Sequence, residues 1–135
     1  MTEQPQNQQA NDRGGNDKRV SATGFKAGNL HHYWDTEFVG SLGDNPREVA
    51  LTLIEGISDA QSKDWARGTA TDWAQESFHI ARDQVYGQLP SSSSRGGFAL
   101  SDEYVDMANE VVTAQLSKSG VRLAFVLNSA LASGR

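Results

Sequence analysis

Apolar residues in this chain recur at three- and four-residue spacings, and the residues that interrupt them are helix caps and helix breakers. That rhythm buries one stripe of a helix and suits no strand. It begins at Leu30, Tyr33, Trp34, Phe38 and Val39, with Asn29 placed to cap. Gly40-Ser41-Leu42-Gly43-Asp44 ends it. Asn45-Pro46-Arg47-Glu48 starts the next helix: asparagine caps, proline takes the first helical position, and glutamate follows three residues after the cap. Ala50, Leu53, Ile54 and Ile57 are its predicted buried stripe. A loop is expected from Gly56 to Ser62, with a short turn near Trp65. Thr71 to Leu89 reads as a third helix, with Ala74, Phe78, Ala81, Val85 and Leu89 on one face and Trp73 and Ile80 at its edges. Pro90 and the loop Ser91 to Gly97 close it. Ser101 caps the last region, with Asp102 and Glu103 in the first turn, where the helix dipole favours them. Val105, Ala108, Val112 and Leu116 form its stripe. Gly120 interrupts, and Leu123, Ala124, Leu127, Ala130 and Leu131 resume, predicting one kinked helix or two abutting ones. Lys18 to Phe25 is the one weak strand signal. The fold class is all-α and multi-helical, with at most a short strand or hairpin near residues 18–25.

The chain has 135 residues, enough for one domain at most, or for part of one. Only 37% are hydrophobic, so the core is small or shared. Residues 1–11 are polar and rich in Gln and Asn, and read as a disordered segment ahead of a helical region over 12–135. A net charge of −5 argues against binding nucleic acid by bulk charge alone. It leaves room for a site where a metal supplies the positive field. There is no cysteine, so disulfides and thiolate metal sites are excluded. No apolar run approaches the roughly 20 residues of a membrane span. The stretch Met1-Thr2-Glu3-Gln4-Pro5-Gln6-Asn7 carries no signal-peptide pattern.

Two of the three histidines stand side by side at His31 and His32. His31 and Asp35 are four residues apart, on one face of the expected helix. Both can point at a single atom, and zinc accepts imidazole nitrogen and carboxylate oxygen at about 2.0–2.2 Å. The same spacing also suits a surface ion pair. His32 meets Thr36 at i+4 and is expected to point elsewhere. Upstream, Gly14-Gly15-Asn16 is a tight turn. It reads either as ordinary turn chemistry or as a backbone that a planar ring can approach closely, with an amide to hydrogen-bond it. Arg13, Lys18, Arg19 and Lys26 make this stretch locally basic, which suits a phosphate-bearing ligand or a solvated face. His79 reads as structural or exposed. Trp65, Trp73, Tyr86 and Tyr104 read as packing residues. The serines at 91–94 have no base beside them and read as a linker.

Taken together, Asp12-Arg13-Gly14-Gly15-Asn16 and Asn29-Leu30-His31-His32-Tyr33-Trp34-Asp35 resemble the single-strand-specific zinc nucleases of the S-one/P-one family. So do Trp73-Ala74-Gln75-Glu76-Ser77 followed by Val85-Tyr86, and the stretch Gly120 to Asn128. The resemblance runs from about residue 12 to residue 131 and matches the C-terminal half of the family's domain. It implies the helical fold shared with zinc phospholipase C, a three-zinc cluster at the base of a cleft, and secretion or a periplasmic location. It also implies endonucleolytic hydrolysis of single-stranded DNA and RNA, and of 3′-nucleotides, to 5′-phosphorylated products. His31 and Asp35 match two of the three protein ligands of one zinc. Gly14, Gly15 and Asn16 match the segment that binds the nucleobase. The family's third ligand to that zinc is the histidine of a Gln-Pro-Leu-His stretch. The matching stretch here is Gln4-Pro5-Gln6-Asn7, and asparagine is a poor zinc ligand. The remaining ligands would lie upstream. The expectation is a chain that partly coordinates at most one zinc, is weakly active or inactive alone, and lacks an N-terminal half. The alternative is a non-catalytic helical fragment that binds a nucleotide or a partner. A phospholipase C activity is disfavoured by the Gly-Gly-Asn turn.

Overall fold

The structure, a computed structural model, describes residues 11–133. The polar stretch expected to lack structure therefore falls outside the described residues, apart from Asn11. The described chain is mostly helical, as the periodicity predicts. Strand β1 (Arg19–Ser21) pairs antiparallel with β2 (Gly28–Asn29), Val20 facing Gly28. The chain then enters one continuous helical segment: α1 (Leu30–His32), a π-helical turn (Tyr33–Glu37) and α2 (Phe38–Gly40). Asn29 is the cap the sequence predicts, its side-chain oxygen accepting His32 N–H at 2.8 Å.

Helix α3 (Pro46–Glu55) starts on Asn45, whose side chain accepts from Arg47 and Glu48 N–H. Helix α4 (Asp59–Trp65) follows, where the sequence suggests loop and a short turn. It forms because Ser58 and Gln61 make a reciprocal capping box, each side chain bonding the other's backbone. Helix α5 (Ala70–Ile80) opens on the equivalent pair Thr69 and Asp72, and continues into a second π turn (Ala81–Tyr86). Strand β3 (Phe98–Ala99) then joins β1 in parallel, giving the order β2-β1-β3. This third strand, like β2, lies outside residues 18–25. It is two residues long, too short for alternation to register, and is held by Leu100 N–H donating to the Ser21 carbonyl at 2.8 Å. Helix α6 (Asp102–Ala132) is a single element of 31 residues, and Gly120 lies inside it without ending it.

The core gathers where the sheet, the first helical segment and the N-terminal half of α6 meet. Leu30, Tyr33 and Phe38 are fully buried, with Val20, Leu100, Tyr104, Ala108 and Val112 around them. Phe38 sits edge-on to Tyr33 and Trp34, with ring centroids 5.6 and 5.4 Å away. Such tilted pairs contribute beyond their buried area. The polar tips of the core aromatics are satisfied. Tyr33 O–H donates to the Lys26 carbonyl at 2.9 Å, and Tyr104 O–H donates to the Val85 carbonyl at 2.7 Å. Burial pushes the Tyr104 hydroxyl up to about 12.

The outer helices depart from their predicted faces. Ala50 and Ile54 of α3 are exposed and Leu53 and Ile57 only half-buried. They border an open apolar groove of about 680 Å³ against Leu116, Val121, Ala124 and Phe125 of α6. Phe78, predicted on the buried face of α5, is exposed, as are Leu123, Leu127 and Leu131 of α6. The stripes have helical spacing, but no described element covers them. What secures α4 and α5 to α6 is polar instead. Glu76 accepts from Lys118 Nζ at 2.9 Å, Arg122 Nη2 at 2.8 Å and Gln115 Nε2 at 3.1 Å. Arg122 also donates to the Trp65 carbonyl at 3.1 Å and lies over the Trp73 ring. No helix among the described residues is long and apolar enough to cross a membrane.

Candidate metal and base-binding site

The candidate site lies where the turn at residues 12–17 meets the first turn of α1. Three consecutive residues of that turn have positive φ: Arg13 (54°), Gly14 (68°) and Gly15 (89°). Glycine adopts this region without a Cβ clash, which explains two of the three positions. Gly15 is buried, and a Cβ there would meet the His31 backbone nitrogen and Leu30 Cβ, each at 3.2 Å. Its carbonyl accepts from Lys18 N–H at 3.2 Å and His31 N–H at 3.4 Å, so the turn is stitched to the start of α1.

His31 and Asp35 converge as their spacing predicts. Nε2 of His31 lies 2.9 Å from Asp35 Oδ2, and both side chains are about half exposed or more. The other ring nitrogen, Nδ1, is 3.1 Å from the Gly14 carbonyl. His32 points away and pairs with Glu37 at 3.1 Å. The structure thus brings Gly14, Gly15, His31 and Asp35 together. Asn16 adjoins them, but its amide folds back to donate to the Arg13 carbonyl at 2.9 Å. Two of the four basic residues meet acidic neighbours: Arg13 pairs with Asp17, and Lys18 Nζ lies 3.7 Å from Asp12. His79 is exposed beside Phe78.

An imidazole nitrogen and a carboxylate oxygen are both zinc donors, and the carbonyl on Nδ1 is the usual outer partner of a ligating histidine. The pair fits part of a zinc site. Among the described residues no third His, Cys, Asp or Glu joins them to make a set of three. The third position inferred from the sequence, Asn7, lies outside the described residues.

Two further residues, to which the sequence reading gives no role at the site, meet here. Asp12 Oδ1 accepts Gly15 N–H at 3.2 Å and the Tyr86 hydroxyl at 3.4 Å. An aspartate bonding a backbone N–H three residues on is a recognised turn pattern, so that contact is open to inference. Tyr86 lies 74 residues away in sequence, and nothing local announces the contact. Burial first, then the Asp12 carboxylate, holds the Tyr86 hydroxyl above its ordinary value.

The S1/P1 nuclease family model matches residues 3–132, nearly the whole chain. The chain belongs to the S1/P1 nuclease family. Among curated proteins, Endonuclease 2 of Arabidopsis thaliana is 33% identical over 135 aligned positions, covering 88% of this chain. The same alignment covers 43% of the plant protein, so the chain spans less than half the length of that relative. In this S1/P1 nuclease chain the candidate residues sit at the turn and helix start that the family resemblance singles out, and the small sheet fixes their separation.

Proposed function

We propose that this chain is part of a zinc-dependent nuclease that hydrolyses single-stranded DNA and RNA, and 3′-nucleotides, to 5′-phosphorylated products. In this reading His31 and Asp35 hold one zinc, and Gly14, Gly15 and Asn16 seat a nucleobase beside it. The observation that carries the reading is the meeting of His31 Nε2 and Asp35 Oδ2 at 2.9 Å, with the glycine turn bonded to the same imidazole. Family membership supports the reaction class.

The chain's own residues have separable tasks. His31 and Asp35 supply donors of two chemical types from one helical face. The Gly14 carbonyl accepts a hydrogen bond from Nδ1–H and leaves Nε2 facing Asp35. The bare backbone of Gly14 lets a flat ring approach, because no side chain stands over it. His31 and Asp35 would hold a zinc whose Lewis acidity would serve a phosphoryl oxygen. Two protein donors among the described residues leave a zinc site open, and in this reading the remaining ligands come from the part of the family domain that this chain does not span. That portion is the proposed partner. A secreted or periplasmic setting follows the same kinship.

The test joins the chain to the upstream portion of a family domain and measures zinc-dependent cleavage of a single-stranded oligonucleotide. Cleavage should be restored, and His31→Ala or Asp35→Ala should abolish it. Undiminished cleavage in both variants overturns the assigned ligands. Calorimetry on the 135-residue chain alone should show weak zinc binding that either substitution removes.

A further inference from the structure

We propose that Asp12 is the positioning residue for the His31 imidazole, acting through the single peptide unit that joins Gly14 to Gly15. The Gly14 carbonyl and the Gly15 N–H belong to one planar trans peptide, so they point in opposite directions. Asp12 Oδ1 accepts that N–H at 3.2 Å. The carbonyl at the other end meets His31 Nδ1 at 3.1 Å. Holding one end of the peptide on the carboxylate aims the other at the ring. A carbonyl can only accept, so Nδ1 donates to it, and Nε2 is the nitrogen turned to Asp35. In carboxylate–histidine–zinc arrangements the carboxylate touches the ring directly and fixes its tautomer. Here a peptide unit is interposed.

The turn needs such a clamp because of its own composition. A peptide flanked by two glycines can flip at little steric cost, since glycine takes either sign of φ. A flip would direct the N–H at the imidazole and remove the acceptor from Nδ1. The carboxylate that prevents this is itself held. Tyr86 donates its hydroxyl to the same Oδ1 at 3.4 Å. Among the described residues Oδ2 is buried without a hydrogen bond, and Lys18 Nζ lies 3.7 Å from it. Lys18 in turn lies over the Tyr86 and Phe98 rings, 5.8 and 5.6 Å from their centroids. A carboxylate acceptor makes a stronger hydrogen bond to Gly15 N–H than a neutral one would. The functional consequence, though not the geometry, rests on His31 being a zinc ligand.

The experiment follows the His31 Nδ1 proton by nitrogen-15 NMR in the metal-free 135-residue chain, and zinc affinity by calorimetry in parallel. Wild-type protein should show an Nδ1 proton protected from solvent exchange. Asp12→Ala should lose that protection and bind zinc about 10–100-fold more weakly, as removal of an outer-shell partner does. Asp12→Asn retains a carbonyl acceptor for Gly15 N–H and should restore the protected proton. Tyr86→Phe keeps the ring and the fold, checked by circular dichroism, and should reduce protection; it decides the matter if Asp12→Ala does not fold. A wild-type Nδ1 proton in both Asp12→Ala and Tyr86→Phe overturns the inference. If wild-type chain binds no zinc while Asp12→Ala still exposes the Nδ1 proton, the ligand assignment fails and the positioning role stands.

Discussion

His32 Nε2 lies 3.1 Å from Glu37 Oε1, a pairing across five residues rather than four. The π turn at Tyr33–Glu37 produces it by adding a residue to the helical register, so positions i and i+5 face one another. The two adjacent histidines therefore have separate partners: His31 takes Asp35, and His32 takes Glu37. Being surface pairs, neither contributes more than about 1 kcal/mol to stability. His32→Ala should lower the unfolding free energy by less than that and leave zinc affinity unchanged, whereas His31→Ala should remove zinc binding at similar stability. Denaturant titration and calorimetry on the two variants check this. Loss of zinc binding in His32→Ala would mean that the wrong histidine has been assigned.

Glu76 gives the protein an acid-sensitive joint. Desolvation pushes its carboxyl up, but hydrogen bonds from Arg122, Lys118 and Gln115 outweigh that and bring it to about 2, from an ordinary 4.5. A carboxyl depressed in the folded state stabilises fully above its unfolded value and loses that contribution as pH falls through the folded one. The window is therefore from about pH 4.5 down to about pH 2. The Glu76 side chain is 32% exposed, so solvent screening reduces the effect, and about 1–2 kcal/mol is expected. Glu76→Gln should cost that amount at neutral pH, and the gap to wild type should close across the window. Urea midpoints measured at a series of pH values decide it. A gap independent of pH would show that the carboxylate charge is not what secures α5 to α6.

Much of this arrangement is legible in the sequence, for identifiable reasons. Asn29, Asn45 and Ser101 all cap helices, because a capping side chain bonds a backbone N–H within three residues and needs no tertiary context. The His31 and Asp35 pair is likewise local. The same logic extends to Ser58 and Gln61, whose capping box is present in the sequence but masked by glycine and serine residues that read as loop. What sequence does not carry is which apolar stripe finds a partner. Ile54 and Phe78 have the spacing of core residues, yet remain 63% and 61% exposed, because burial depends on a facing element and not on spacing. The Asp12 and Tyr86 contact and the two-residue strand at Phe98–Ala99 are long-range products of folding, with no periodic signal to announce them.

Gly15→Ala should be among the most damaging small changes at the site. Its φ of 89° disfavours any side chain, and a Cβ would press on the His31 nitrogen and Leu30 Cβ at 3.2 Å and the Tyr86 hydroxyl at 3.4 Å. Backbone strain of this kind costs of order 1–3 kcal/mol. Gly14→Ala carries the φ penalty too, but its Cβ would have only His31 Nδ1 near it, at 3.9 Å. Thermal denaturation should rank Gly15→Ala below Gly14→Ala, and both below wild type. Equal losses would mean that conformation alone, not the close approach to α1, dictates glycine at residue 15.

Gly120→Ala should act in the opposite direction. The sequence marks Gly120 as an interruption of α6, but it sits within a continuous helix, exposed, and a methyl group on its Cα would have no neighbour within 4 Å. A glycine in a helix interior retains more freedom in the unfolded chain than alanine does, and costs roughly 0.5–1 kcal/mol for it. Alanine here removes that cost and meets no neighbour, so the substitution should raise stability by about that amount. The half of α6 beyond Gly120 carries exposed Leu123, Leu127 and Leu131, so its helicity depends on propensity more than on packing. Helical ellipticity should therefore rise along with the denaturation midpoint. A loss of stability on Gly120→Ala would show instead that the open groove beside α3 closes on this residue in solution and leaves no room for a methyl group.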